Sequence, residues 1–133
     1  MNSKMNSQER AEHNKRFILR YCTIHHEGVT EEEIRAFTKN ELYIKTVTSY
    51  RRAFPDYSIM VEDITADGDF VILHGVVRGT HKAEFHGMPA TYRKIEMPIM
   101  TKFQVVDDMI INAWPMVDQM DFLEKLGALN RPV

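Results

Sequence analysis

The feature that most restricts the fold is a change in hydrophobic period at Pro55. Before this proline, apolar residues such as Phe17, Ile18 and Tyr21 recur at the three- and four-residue spacing of an amphipathic helix. After it, apolar and polar residues alternate, which is typical of strands. Because the helical segments precede a run of consecutive strands, we predict an α+β fold: a curved antiparallel sheet wrapped around N-terminal helices.

The helical half divides into three predicted segments, at 9–24, 30–37 and 45–53. Thr30 and Glu33 have the spacing of a capping box, which marks the start of the second segment. The third segment ends at "FPDY", because a residue that precedes proline is disfavoured in the helical region.

Four strands are predicted next, at 57–66, 70–85, 94–106 and 109–117. Tight turns are expected at 67–69 and 107–108, where "DGD" and "DD" interrupt the alternation. Gly75 and Gly79 lie inside the second strand, and glycines within strands indicate a bulge or a sharp bend.

Both faces of the second strand are apolar. Phe70, Ile72 and Val76 lie on one face, and Val71, Leu73 and Val77 lie on the other. An antiparallel sheet with one wet face should alternate more cleanly, so the second face is expected to be covered as well. In a chain this short, a second copy is the simplest cover, which predicts a homodimer through the open sheet face.

The composition excludes several classes of partner. With 17 basic and 19 acidic residues, the net charge is −2, which gives no basic excess for binding nucleic acid. No apolar run approaches the ~20 residues that a membrane helix needs. The polar start lacks a secretion signal and the single Cys22 forms no internal disulfide, so a cytoplasmic protein is expected. One domain over residues 1–133 is predicted, with residues 1–8 frayed.

The stretch "AWPMVDQMDFLEKLG" runs from the last strand into a short helix, with Asp118 at the junction. One interpretation is structural, because aspartate is a preferred N-cap and Asp121 follows at capping-box spacing. The other is chemical. Trp114 and Met116 share the strand parity of Asp118 and could form an apolar wall beside it. Such a wall would raise the pKa of the Asp118 carboxyl group, which could then act as both acid and base. The residues alone leave both interpretations open.

The remaining reactive residues form no familiar motif. The segment "HHE" at 25–27, together with His81 and His86, supplies metal-ligand types but lacks a zinc-binding spacing. There is also no phosphate-binding glycine loop and no nucleophile elbow. We therefore expect neither a metal site nor a cofactor.

The central region carries an ordered series of short motifs. These are F-P-D at 54–56, an acidic-Gly turn at 67–68, G-T-H at 79–81 and F-x-G-x-P-x-T at 85–91. Together with the early "NKRFILRY" and the closing "AWPMVDQMDFLEKLGAL", the series resembles the SnoaL-like polyketide cyclase family over about residues 14–129.

This resemblance implies a cone-shaped, cystatin-like α+β barrel with an apolar pocket, a fold shared with ketosteroid isomerase, scytalone dehydratase and nuclear transport factor 2. Family members close a polyketide ring by intramolecular aldol condensation, without metal or cofactor. Their catalytic aspartate best matches Asp118 in this chain. The resemblance therefore implies a small apolar carbonyl-containing ligand, with Asp118 as general acid/base.

Seven further residues are candidates for contact with such a ligand. They are His81, Trp114, Met116, Gln104, His74, Tyr21 and Tyr43. Each type also has a structural alternative, because a histidine can fix a loop or fill an interior position. A tyrosine on a helix can likewise pack in the core with its hydroxyl bonded.

The chain departs from the family pattern in several places, among them a segment between Tyr43 and Phe54 that is shorter than usual. Ala83 and Tyr92 each replace a glycine, and the histidine that assists the catalytic aspartate has no secure counterpart. Thr101, Lys102 and Gln104 occupy its region. Because one fold can host many functions, a ligand-binding or protein-interaction module without turnover remains the alternative to an enzyme.

Overall fold

The computed structural model describes residues 5–127, which form four helices and one four-stranded sheet. The elements are α1 (Ser7–Thr23), α2 (Glu31–Arg35), α3 (Glu41–Ala53), β1 (Ser58–Asp67), β2 (Phe70–Thr80), β3 (Lys94–Val105), β4 (Ile110–Met116) and α4 (Gln119–Lys125). Neighbouring strands are antiparallel and follow chain order, β1-β2-β3-β4. The predicted α+β architecture, with helices preceding an antiparallel sheet, is confirmed.

Two helices begin earlier than the sequence pattern indicated. The Asn6 side chain accepts a hydrogen bond from the Glu9 N–H, so α1 already includes residues 7 and 8, where fraying was expected; residues 1–4 lie outside the described part. The Asn40 side chain likewise accepts from the Tyr43 N–H, so α3 begins at Glu41 rather than at residue 45. In both cases a capping side chain satisfies a free N–H, and the helix begins earlier than predicted, by two residues in α1 and by four in α3.

Strand β2 ends at Thr80, five residues before the predicted end. The Thr80 N–H and hydroxyl both donate to the Asp56 carboxylate at 2.7 Å. Beyond this point the Lys82 N–H donates to the carbonyl of Ala53, the last residue of α3, so the chain leaves the sheet. The prediction of strand at 81–85 was therefore wrong, because contacts distant in sequence redirect this segment.

The irregularity expected at Gly75 lies on the neighbouring strand. The register of β1 shifts between Val61 and Asp63, directly opposite Gly75 on β2. A Cβ atom at Gly75 would lie 2.5 Å from the Met60 carbonyl oxygen, far inside contact distance. The glycine thus allows the two backbones to approach where β1 bulges.

The side chains of β2 distinguish the two faces of the sheet. Val71, Leu73 and Val77 are buried on the face that packs against the helices, called here the inner face. On the opposite, outer face, Phe70 and Ile72 are 37% and 43% exposed. The core therefore lies entirely between the inner face and the helices. None of the helices within residues 5–127 combines the length and apolarity needed to cross a bilayer.

Candidate functional site

A cavity of about 430 Å³ lies between the inner face of the sheet, helices α1 and α3, and the β4–α4 junction. This volume is in the range of small-molecule binding sites, which are mostly apolar clefts with a few polar groups. Its apolar wall includes Val47, Phe54, Ile59, Leu73, Val77, Ile95, Met97, Ile99, Phe103 and Phe122.

The polar part of the wall consists of hydrogen-bonding groups without a carboxylate. It comprises Tyr21, His25, Tyr43, Thr46, Tyr50, Tyr57, Arg78, Thr101 and Gln119. Neither aspartate nor glutamate occurs among the described residues that line the cavity. Within residues 5–127 there is also no group of three or more His, Cys, Asp or Glu side chains that could hold a metal ion.

Two tyrosines form a hydroxyl pair on this wall. The Oη atoms of Tyr21, on α1, and Tyr43, on α3, are 2.7 Å apart. Burial raises the pKa of both phenols well above the ordinary value, so both hydroxyls keep their protons at neutral pH. One proton is shared between the two oxygens, and the second remains available to a ligand. Donation within the pair strengthens this second donor.

A buried histidine follows α1 at the same end of the cavity. His25 is 5% exposed, and its ring meets the edges of Tyr21 and Tyr57 at centroid distances of 4.8 and 5.7 Å. Its Nδ1 lies 3.4 Å from Nη1 of Arg51. Burial, and secondarily the Arg51 charge, lower the pKa of His25 to about 3, so the imidazole is neutral at neutral pH.

Asp118 occupies the N-cap of α4. Its carboxylate accepts a hydrogen bond from the Asp121 N–H at 3.0 Å, and the residue is exposed. Val117 and Gln119 line the cavity, whereas Asp118 between them does not. The capping interpretation is therefore realised in the structure. The acid/base role stays a prediction for a carboxylate at the rim of the cavity.

Of the seven predicted ligand contacts, Tyr21, Tyr43 and Met116 line the cavity. Trp114 does not, because it pairs with Lys102 of β3 on the outer face, where it is 46% exposed and its ring lies 5.5 Å from the Lys102 Nζ. The assumption that Trp114 and Met116 form one wall of the cavity fails for Trp114, because this part of β4 presents it to the outer face. Met116 is the last residue of β4 and lines the cavity at its rim.

His74, Gln104 and His81 also lie away from the cavity wall. His74 is on the outer face, 3.9 Å from a Glu62 carboxylate oxygen, and Gln104 accepts a hydrogen bond from the Asn112 side chain at 2.9 Å. His81 is fully buried and accepts the Thr91 N–H at Nδ1, which matches its loop-fixing alternative.

The sequence interpretation missed His25 and Tyr57 as site residues. His25 was considered only as part of a metal-binding triplet, yet it follows Tyr21 by four positions. Residues four apart on a helix face the same side, so this spacing could have placed His25 beside Tyr21. Tyr57 gave no such signal, because its position depends on how the chain turns after Pro55.

Comparison with known proteins identifies the family. A family model described as SnoaL-like polyketide cyclase matches residues 22–126. The chain belongs to the SnoaL-like polyketide cyclase family. At the level of the family, membership supports a small-molecule enzyme. No curated protein matches its sequence.

Several solved structures have the same fold. AclR from Streptomyces galilaeus, provisionally assigned as a hydroxylase, has a TM-score of 0.77 at 21% identity, over 90% of this chain and 99% of AclR. A provisionally assigned SnoaL-like polyketide cyclase from Jannaschia sp. CCS1 also has a TM-score of 0.77, at 19% identity over 95% and 99% of the two chains. IdmH from Streptomyces antibioticus, provisionally assigned as a polyketide cyclase, is 37% identical over 65% of this chain and 61% of its own, with a TM-score of 0.52.

Within this SnoaL-like fold, the backbone explains one departure from the family pattern. Tyr92, in place of the expected glycine, adopts a φ of 58°, and it is 71% exposed. This left-handed conformation is readily accessible to glycine and is strained for a bulky residue. This chain therefore has, at Tyr92, a backbone conformation that suits the expected glycine better than a bulky side chain.

Proposed function

We propose that the protein binds a small apolar carbonyl compound in the cavity and catalyses cofactor-free acid/base chemistry on it, an aldol-type cyclisation or a related isomerisation. The observation that carries this proposal is the composition of the cavity wall. It combines an apolar surface with hydrogen-bond donors that are neutral apart from Arg78, and the described residues that line it include no carboxylate. Such a wall suits a ligand whose carbonyl oxygen gains negative charge during the reaction.

The hydroxyl pair supplies the electrophilic half of this chemistry. When a base removes a proton from the carbon next to a carbonyl, the electron pair moves onto the carbonyl oxygen and gives an enolate. The free O–H of the Tyr21–Tyr43 pair donates to this oxygen. In a cyclisation, the enolate carbon then bonds to a second carbonyl carbon, and the oxygen of that carbonyl takes up the proton that the base removed. Donors fixed in advance stabilise the enolate more than the starting ketone.

Asp118 is the proposed base. It lies at the rim, between two residues that line the cavity, and its carboxylate makes one capping hydrogen bond. Releasing this bond costs about 1 kcal/mol, the usual value of an N-cap. The side chain can therefore leave the cap and turn toward a bound ligand at a modest energetic cost.

Proton exchange in 2-tetralone, a two-ring ketone, tests the proposal directly. The wild-type protein is expected to accelerate deuterium uptake at the carbon next to the carbonyl, measured by NMR in D₂O. Asp118→Asn keeps an equally good N-cap and removes the base, so exchange should fall on the order of 10²-fold or more with an unchanged melting temperature. Full exchange by Asp118→Asn would exclude Asp118 as the base.

One observation favours a second candidate function, a binding module without turnover. The capping bond of Asp118 and the lack of any lining carboxylate leave the described cavity without a base in place. Saturable binding of 2-tetralone, with exchange no faster than in buffer, would establish this alternative.

We further propose that two copies pair through the outer face. Five large apolar side chains are between 37% and 48% exposed there, namely Met60, Phe70, Ile72, Met100 and Trp114. The strand register places them on adjacent strands of one surface. Lys102 lies among them, with its Nζ over the rings of Phe70 and Trp114. A cluster of exposed apolar side chains of this kind favours an interaction site, and sheets pack face to face through such surfaces.

A further inference from the structure

Arg51 is a buried cation whose hydrogen-bond partners are all uncharged. Its guanidinium donates to the backbone carbonyls of His26, Pro55 and Tyr57 and to Nδ1 of His25. No ion pair between Arg51 and a carboxylate occurs among the described residues. The Asp56 carboxylate attracts Arg51 electrostatically from beyond ion-pair distance. Because a buried charge without a direct counter-ion is unfavourable, its surroundings favour a further anion nearby.

The contact with Arg51 determines which nitrogen of His25 carries the proton. A guanidinium can only donate hydrogen bonds, so Nδ1 of His25 is the acceptor and Nε2 bears the hydrogen. Arg51 does not line the cavity, whereas His25 does, so the Nδ1 side of the ring faces the protein interior. This leaves the Nε2 side toward the cavity.

The Nε2 hydrogen of His25 has no hydrogen-bond partner within residues 5–127. This atom is nevertheless accessible and not enclosed by other protein atoms. The buried unpartnered side-chain atoms of the described residues include Nε2 of His81 but not Nε2 of His25. Arg51 and the rings of Tyr21 and Tyr57 hold the imidazole in place. His25 therefore presents a fixed, neutral N–H donor to the cavity.

We propose that His25 is a catalytic residue that donates its Nε2 hydrogen to an anionic oxygen of the substrate, with Arg51 as the positioning residue that fixes the tautomer. The inference rests on the proposed function and names the ligand form that the site prefers, an enolate or phenolate oxygen. Since the pKa of His25 is about 3, the imidazole stabilises this oxygen as a donor and does not transfer its own proton. The Arg51 charge behind the ring adds to the preference for an anion.

The dye 4-nitrophenol is a suitable probe, because its phenolate and phenol forms have different absorption spectra. We expect the bound dye to titrate at least about one pKa unit below the free dye, a tenfold preference for the anion. His25→Phe keeps an aromatic ring without the donor and should abolish most of this shift. His25→Gln supplies an N–H donor and should restore part of it. The methyl ether 4-nitroanisole, which cannot ionise, should bind wild type and His25→Phe within about twofold.

The outcomes separate this inference from the proposed function. If His25→Phe binds the dye with the full wild-type shift, the role of His25 is excluded and the cavity proposal stands. Val47→Phe, which fills the cavity from α3, should block binding of both probes. If neither probe binds the wild-type protein, or if Val47→Phe binds them unchanged, the proposed function fails and this inference with it.

A measurement on the wild-type protein covers the case in which His25→Phe does not fold. NMR of ¹⁵N-labelled histidine distinguishes the two neutral tautomers. We expect His25 to carry its proton on Nε2 at neutral pH and this proton to move downfield when 4-nitrophenol binds. A proton on Nδ1, or an Nε2 proton unaffected by bound dye, would overturn the proposal.

Discussion

Two histidines are almost fully buried, and they relate to the cavity in opposite ways. His81 is 0% exposed, stacks on Phe54 at 5.3 Å and accepts the Thr91 N–H, so it fixes the loop after β2. His25 is held from behind by Arg51 and lines the cavity. The same residue type therefore has a structural role at one position and a proposed chemical role at the other.

The low pKa of His25 makes stability depend on pH. The native pKa is about 3, against 6.5 for an unperturbed histidine, so between these values the unfolded chain binds a proton that the native state does not. Stability must then fall as pH decreases through this window. From pH 7 to pH 5 His25 alone should cost about 2 kcal/mol of unfolding free energy.

Urea denaturation of wild type and His25→Phe at the two pH values isolates this effect, because all other titrating groups are shared. Between pH 7 and pH 5, the unfolding free energy of His25→Phe should fall by about 2 kcal/mol less than that of wild type. The groups around the imidazole, namely Arg51, His26, Tyr21 and Tyr57, are unchanged in the variant. An equal loss in both proteins would show that His25 titrates normally.

Backbone strain at Tyr92 gives a second residue-level prediction. At a φ of 58° its Cβ crowds the following carbonyl, which costs about 1–2 kcal/mol in an L-residue. Tyr92→Gly should therefore stabilise the protein by about 1 kcal/mol after the extra chain entropy of glycine is subtracted. Tyr92→Ala is the matched control, because it removes the ring and keeps the Cβ. Equal unfolding free energies for the two variants would contradict the strain argument.

At the level of elements, hydrophobic periodicity and turn residues predicted the strands and turns, because these features depend on residues close together in sequence. The alternation after Pro55 gave four strands, and the "DGD" turn contains Gly68 at a φ of 58°. The end of β2 was not predictable, since it depends on Asp56, 24 residues from its partner Thr80.

The candidate site was less predictable than the fold. A two-residue period shows which side chains share a face of a strand. It does not show which face points inward when both are apolar, and Trp114 was therefore placed on the wrong side. Tyr21 was anticipated because it lies on the apolar face of a predicted helix. Tyr43 was also named, although its helix was predicted to begin at residue 45 and begins at Glu41. The His25–Arg51 contact joins residues 26 positions apart, so the local sequence pattern did not predict it.

The N-cap of α3 links helix stability to the cavity. The Asn40 side chain accepts the Tyr43 N–H and donates to the Ile111 carbonyl, each at 3.0 Å, so it joins α3 to β4. Asn40→Ala should lower the unfolding free energy by about 1–2 kcal/mol and weaken 2-tetralone binding, because Tyr43 lies on the first turn. Asn40→Asp keeps the capping oxygen but lacks the N–H donor, so its unfolding free energy should fall less than that of Asn40→Ala. Wild-type stability in Asn40→Ala would contradict this account.

At the level of the whole molecule, the outer face determines the proposed assembly. Sedimentation equilibrium at micromolar concentration should give twice the monomer mass. Met100→Glu introduces a charge where the side chain is 48% exposed in one chain, so it should give a folded monomer. Leu42→Glu, on α3 at a residue 76% exposed, is the matched control and should stay dimeric. A wild-type monomer would exclude pairing through this face.

The central claim is that the cavity holds a carbonyl compound with its oxygen on neutral donors. A crystal structure of the wild-type protein with 2-tetralone tests this claim most directly. We expect the ring system to lie against Leu73 and Met97, with the oxygen about 3 Å from Tyr43 Oη or His25 Nε2. A ligand bound on the outer face, or one inside the cavity with its oxygen away from both donors, would contradict it.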